Sequence, residues 1–366
     1  MMVLLLAVLM VPARAAEETD PMEGVLESQS EALDLEGLER AAGEYGGEIA
    51  WMEEGSLEEG LRSVLDTGTS ALRGVVKKGI RSAVLLLAVV LLCGLTEHME
   101  EGLGGKSGID PAAVVGALAV AAIAVGDVNT LVGLGKGAME EMDGFSKVLL
   151  PTTAAAVAAS GAPTQAAARQ AATMLFSDVL LTMMDRLLVP LIYAYTAAAT
   201  AWAAVGNEGL KRMADLLKRL SAWILSGLLM AFVTYLTVSG VIAGNADALA
   251  LKAAKLTISG MVPVVGGILS DAAGTVLAGA GILKNAVGVF GMVVILSMCI
   301  IPFLQLGVHY LLYKLTAALT ATVSSSRTAG LIDCIGGAFG LVLGMTGAGA
   351  FLLLVSLVSA VSVTVG

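Results

Sequence analysis

Between Ala286 and Val308 there is no Asp, Glu, Lys, Arg or His, and the same holds for Leu220–Ala243 and Ile335–Val363. About 20 consecutive apolar residues are enough for a helix to cross the ~30 Å hydrocarbon core of a bilayer. In that core each backbone N–H and C=O must be bonded within the protein, which a helix achieves inside a single segment. Composition points the same way: 57% of the 366 residues are hydrophobic and only 14% are charged, where a soluble domain carries roughly 25% charged residues. A water-soluble enzyme is excluded, and so is a disordered chain, which needs low hydrophobicity and high charge. The sequence predicts an all-α, polytopic helical membrane protein with about six to eight spans, some broken or re-entrant, behind a short acidic N-terminal segment.

The formal charge of −10 is unevenly spread. Glu17–Gly60 holds fifteen acids and one base, Arg40, whereas the residues beyond hold sixteen acids and nineteen bases. This asymmetry separates two differently solvated parts. Neither carries the dense basic stripe that nucleic-acid phosphates require, so nucleic acid is not an expected partner. The extreme N-terminus, an apolar run from Val3 to Val11 followed by Ala13-Arg14-Ala15, reads as a secretory signal or an uncleaved N-terminal anchor. Three regions result: 1–16, the signal peptide or anchor; 17–79, an acidic polar segment with an amphipathic helix; and 80–366, the multi-span membrane domain.

The amphipathic helix is read from Leu57, Leu61, Val64, Leu65, Leu72, Val75, Val76 and Ile80, with Arg62, Arg73, Lys77 and Lys78 between them. Such a helix lies on lipid headgroups or packs in a small helical domain. Spans are expected near Ile80–Thr96, Pro111–Gly126, Lys147–Ala159, Leu187–Val205, Leu220–Ala243, Ala286–Val308 and Ile335–Val363, with Tyr310–Val323 as a further helix. In Pro163–Met184, Arg169 and Asp178 would each cost roughly 2.5–3.5 kcal/mol at a bilayer centre. This piece is expected to be interfacial, re-entrant or buried among other helices. The bases Lys211, Arg212, Lys218 and Arg219 mark a cytoplasmic loop by the positive-inside rule.

No enzyme signature emerges, and no cofactor is expected. His98 and His309 belong to no His-Glu-x-x-His pattern, and no Gly-x-x-x-x-Gly-Lys-Ser/Thr loop is present. Cys93, Cys299 and Cys334 form no Cys-x-x-Cys and read as small apolar packing groups, so no metal site is expected. Ionisable residues in apolar surroundings are the candidates for function: Asp127 with Asn129, Asp178, Asp185-Arg186, Asp271, Lys284 and Asp333. Pro263, Gly266, Gly267, Asp271, Lys284 and Asn285 are expected to form a broken-helix structural or pore element. Thirteen residues on one straight helix set Asp271 and Lys284 about 220° apart, so a direct pair needs a break, for instance at Gly279 or Gly281. Gly336, Gly340 and Gly344 are expected to form a helix-packing face that admits a neighbouring backbone.

The run from Lys255 through Ile258-Ser259-Gly260-Met261-Val262-Pro263-Val264-Val265-Gly266-Gly267, with Ser270-Asp271-Ala272-Ala273-Gly274 and Ile282-Leu283-Lys284-Asn285 to Gly291, resembles the signature region of the stage III sporulation protein AE family of endospore-forming bacteria. Tyr313-Lys314-Leu315-Thr316, Asp333 and Tyr45-Gly46-Gly47 resemble that family as well, and the layout agrees over nearly the whole chain. The resemblance implies a non-enzymatic integral membrane subunit of the mother cell–forespore channel or secretion-like complex. Its implied partners are the other membrane proteins of the same operon, a separate ATPase among them, and a forespore-membrane protein across the intermembrane space. The implied location is the mother-cell membrane around the forespore. A secondary transporter with a midplane polar site is the alternative reading of the buried charges.

Overall fold

The computed structural model describes residues 34–46, 57–102, 111–261, 266–322 and 326–361, with side chains described over 34–44, 60–94, 114–238, 281–322 and 327–360. Every regular element among them is helical: α1 (Leu35–Gly46), α2 (Leu57–Gly102), α3 (Pro111–Ala159), α4 (Pro163–Met183), α5 (Val189–Val205), α6 (Glu208–Met261), α7 (Gly266–Thr320) and α8 (Ser326–Val361), with a π-turn at Met184–Leu188 between α4 and α5. The leader at 1–16 lies outside the described residues.

Four helices are long and apolar enough to cross a membrane among the described residues, Val114–Ala159, Glu208–Val238, Gly281–Thr320 and Arg327–Ala360. Four is fewer than the six to eight expected: two pairs of stretches read as separate spans run together, and Ile80–Thr96 in α2 and Leu187–Val205 across the π-turn and α5 are not among the four. Pro111–Gly126 and Lys147–Ala159 belong to one 49-residue helix, α3, and Ala286–Val308 and Tyr310–Thr320 to the 55-residue α7. At about 1.5 Å per residue these rods are some 70–80 Å long, more than twice the hydrocarbon thickness. Pro151 and Pro302 sit inside them without ending them. Beside Pro151, the hydroxyls of Thr152 and Thr153 donate to the Val148 and Leu149 carbonyls at 3.0 and 2.7 Å, the back-bonding that Ser and Thr make inside helices.

Contacts along the rods fix their register. Gly135 of α3 faces Leu306 of α7, Cys299 donates to Met142 Sδ at 3.3 Å, and Gly291 faces Leu149, so α3 and α7 run antiparallel. Gly135 also faces Val342 and Thr346, and Gly349 faces Met139 and Met142, so α8 runs parallel to α3. The α4–π–α5 rod returns alongside α3, with Ser177 bonded to Asp143 and Tyr193 to Asn129. The π-turn has a cause: Pro190 has no N–H for an i→i−4 bond and its ring crowds the carbonyl four residues back. The preceding turn widens, and Val189 N–H reaches the Met184 carbonyl, five residues away.

Both segments ahead of the first expected span contain helix. The apolar stripe of 57–80 packs beside α7, with Gly60 against Val293, Gly68 against Ile300 and Gly79 against Leu312; α2 then continues unbroken through Ile80 to Gly102. Val64 and Val75 are buried there, whereas Leu65, Leu72 and Ile80 of the same stripe stay exposed, a face still open to lipid. The acidic segment contains α1, which buries Leu38, Ala41 and Ala42 and turns Glu36, Glu39 and Glu44 outward. Asp34 caps it, its Oδ1 accepting the Gly37 N–H at 3.1 Å.

Candidate functional site

Polar side chains from five helices converge on the first turns of α8. Tyr313 of α7 has no exposed surface, and its hydroxyl donates to Asp127 Oδ2 of α3 at 2.7 Å. Its ring stands edge-on to Phe339 of α8, centroids 4.8 Å apart and planes at 89°. The next residue, Lys314, pairs with Asp333 of α8 at 2.6 Å, with both side chains partly exposed. Tyr195 of α5 is buried and donates to the Cys334 carbonyl of α8 at 2.8 Å. Lys218 of α6 lays its ammonium over Gly337, beside the same Tyr195 hydroxyl. Tyr193 donates to Asn129 at 3.0 Å on the outer side, and His309 Nδ1 lies 2.7 Å from the Gln305 carbonyl.

These contacts differ in worth. The Tyr313–Asp127 bond joins a fully buried phenol to a carboxylate, a class that contributes about 1.5–3 kcal/mol. The Lys314–Asp333 pair keeps access to solvent, with side-chain exposures of 29% and 50%, and such pairs contribute about 0–1 kcal/mol. The phenols explain their own placement, because a buried Tyr O–H needs a partner and lies where another helix supplies one.

Glycines let these side chains approach. With about 100° per residue, Gly336, Gly340 and Gly347 share one face of α8 within about 40°; they meet Tyr313, Tyr310 and Phe303 of α7. Gly330, Gly337 and Gly344, seven apart, form a second stripe about 100° round, against Trp202 of α5, Tyr195 with Lys218, and Leu225 of α6. The predicted face of Gly336, Gly340 and Gly344 therefore divides between two neighbours, since a four-residue step advances about 40° and the third glycine has already turned toward α6. Below this junction, Gly206 ends α5 in the left-handed conformation at φ 75°, its N–H bonded to the Trp202 carbonyl at 2.8 Å, as a helix C-terminus favours. Lys211 then lies over the Trp202 ring at 4.9 Å.

The second predicted cluster is less compact. Pro263 lies outside the described residues. Gly266 and Gly267 open α7 and Asp271 lies in its second turn. α7 continues unbroken through Gly279 and Gly281, so Asp271 and Lys284 remain about 220° apart on one rod. Lys284 is buried, 6% exposed, and within electrostatic reach of Arg169 of α4, whereas its neighbour Asn285 is exposed. Of the other singled-out residues, Asp127, Asn129 and Asp333 join the junction at α8, and Asp185 pairs with Lys136 at 3.3 Å.

Sequence reasoning marked Asp127, Asp333 and the Tyr313-Lys314 step separately but did not connect them. It missed Tyr195, and it read Lys218 only as part of a cytoplasmic loop with Lys211, Arg212 and Arg219, whereas all four lie on the first turns of α6. A tyrosine within the alanine-rich Ala194–Ala204 run was the available signal, since its hydroxyl requires an acceptor there. Among the described residues no group of three or more His, Cys, Asp and Glu is placed to hold a metal ion. What the arrangement does chemically is bind helices to one another.

Long apolar helices cross-linked through buried tyrosines and glycine contacts define a multi-pass helical membrane protein. Residues 46–364 match the family described as stage III sporulation protein AE, and the chain belongs to that family. It is 22% identical, over 357 residues, to stage III sporulation protein AE of Bacillus subtilis strain 168, covering 91% of this chain and 90% of that one. No solved structure matches it.

Proposed function

We propose that the chain is a non-enzymatic integral membrane subunit of the channel or secretion-like complex that joins mother cell and forespore during endospore formation. The observation that carries this reading is the junction at α8. Its buried tyrosines and the Lys314–Asp333 pair are engaged by neighbouring helices of the same chain, so these polar contacts serve assembly of the bundle. Residues that resemble the family, Tyr313, Lys314 and Asp333, are the ones that make these contacts. In this reading the long helices cross the mother-cell membrane around the forespore, and a signal peptide directs the acidic segment into the intermembrane space. Its companions are the other membrane proteins of the same operon, a separate ATPase that supplies energy, and a forespore-membrane protein across that space.

Deleting the gene in its own host tests the proposal. Arrest after engulfment, with failed late forespore gene expression restored by the intact gene, is the expected outcome. A strain that forms heat-resistant spores at normal yield removes the function.

A further inference from the structure

Two sides of the bundle have opposite chemistry at one height. Leu225 of α6 faces Gly344 of α8, and Gly135 of α3 faces Val342 and Thr346 of α8. Farther along, Phe232 of α6 packs on Phe176, centroids 5.3 Å apart, and the adjacent Ser177 reaches Asp143 of α3. Residues 225–232 of α6 therefore lie level with 135–143 of α3. On the α6 side this level is charge-free and open: Met230 is 72% exposed, and Val233 and Tyr235 are also exposed.

On the α3 side the same level carries charge. Lys136, whose side chain is 43% exposed, bridges Glu140 at 3.6 Å and Asp185 of the π-turn at 3.3 Å, with those carboxylates 59% and 45% exposed. One turn on, Lys147 pairs with Asp143 at 2.7 Å. The π-turn aims Asp185 at Lys136, and π-turns inside α-helices are frequent at functional sites. α2 continues this character: Gly68 set against Ile300 and Gly79 against Leu312 put the exposed Arg73 and Lys77 at a neighbouring height. Charges within membrane segments face a water-filled cavity or the interior of an assembly, not acyl chains.

We propose that the face formed by Lys136, Glu140, Asp185 and Lys147 is bathed by water at the depth where α6 meets lipid, and that it lines an aqueous path through the membrane. This rests on the channel reading above and adds to it the side of the molecule that lines the path. The path would suit hydrophilic solutes without selecting strongly by sign, since cations and anions alternate along it.

Cysteine accessibility in sporulating cells tests it, with the full chain and its natural partners present. Starting from Cys93→Ala, Cys299→Ala, Cys334→Ala, single changes Glu140→Cys, Asp185→Cys, Met230→Cys and Val233→Cys are treated with a charged methanethiosulfonate after permeabilisation. Only variants that still sporulate are scored, and if the triple alanine background does not, the changes are made in the natural chain, its own labelling subtracted. Modification at 140 and 185 at least tenfold faster than at 230 and 233 is the expected result. Equal rates overturn the proposal: all slow means that the charged face is covered, and all fast means that this level lies outside the bilayer. Either failure leaves the deletion phenotype, and so the channel-complex reading, untouched.

Discussion

Tyr313 and Asp127, 186 residues apart in sequence, are joined by a 2.7 Å hydrogen bond from a fully buried phenol on α7 to a carboxylate on α3. The bond fixes the register of the antiparallel pair that Gly135, Met142 and Leu149 continue toward the other end. Removing the hydroxyl alone by Tyr313→Phe leaves the ring on Phe339 and strips the carboxylate of its donor. A loss of about 1–3 kcal/mol is expected, read as a lower unfolding midpoint in detergent. Asp127→Asn, which keeps an acceptor, should lose less.

The glycines of α8 should not respond alike to alanine. A Cβ at Gly330 would lie 2.6 Å from the Trp202 ring, one at Gly340 3.1 Å from the Tyr310 ring, and one at Gly344 3.5 Å from a Leu225 methyl. Overpacking a rigid aromatic typically costs about 1–3 kcal/mol. The expected order of damage is Gly330→Ala, then Gly340→Ala, with Gly344→Ala near neutral, measured by thermal stability of the purified variants.

Charge exchange tests the Lys314–Asp333 pair. Because both groups keep contact with solvent, Lys314→Asp or Asp333→Lys should each destabilise modestly, and the double exchange should recover most of the loss. The coupling expected from a double-mutant cycle is about 0.2–1 kcal/mol. It should shrink as salt is raised.

Arg169 offers a substitution that should not hurt. Among the described residues its Nε and Nη1 are shut from solvent without a hydrogen-bond partner, while Nη2 donates to Gln165 at 3.2 Å. Arg169→Met keeps the aliphatic packing and removes two unsatisfied donors, each costing about 1–3 kcal/mol when buried. Stability should hold or rise; a clear fall would mean that the guanidinium has a partner in the assembled protein.

For the buried Lys284 and for Asp271, the expected effect is on function more than on folding. Lys284→Ala and Asp271→Ala should lower spore yield while membrane abundance on immunoblots stays near that of the natural chain. Normal yields from both would remove any role for them beyond packing.

The helical membrane class was decided by the sequence alone, since charge-free runs such as Ala286–Val308 can satisfy their backbone in lipid only within themselves. The close-packing role of α8 could also be seen there, because glycine density is a local property. Which glycines face which helix was not legible: the spacing of Gly336, Gly340 and Gly344 suggested one face, and the split emerges only when α6 and α7 are both in position. The same limit applied to Tyr313 with Asp127, to Lys136 with Asp185, and to the fusion of short apolar stretches into rods. Local sequence sets what each segment must bury, but partners on other helices are selected by register between helices, and register is a property of the packed bundle.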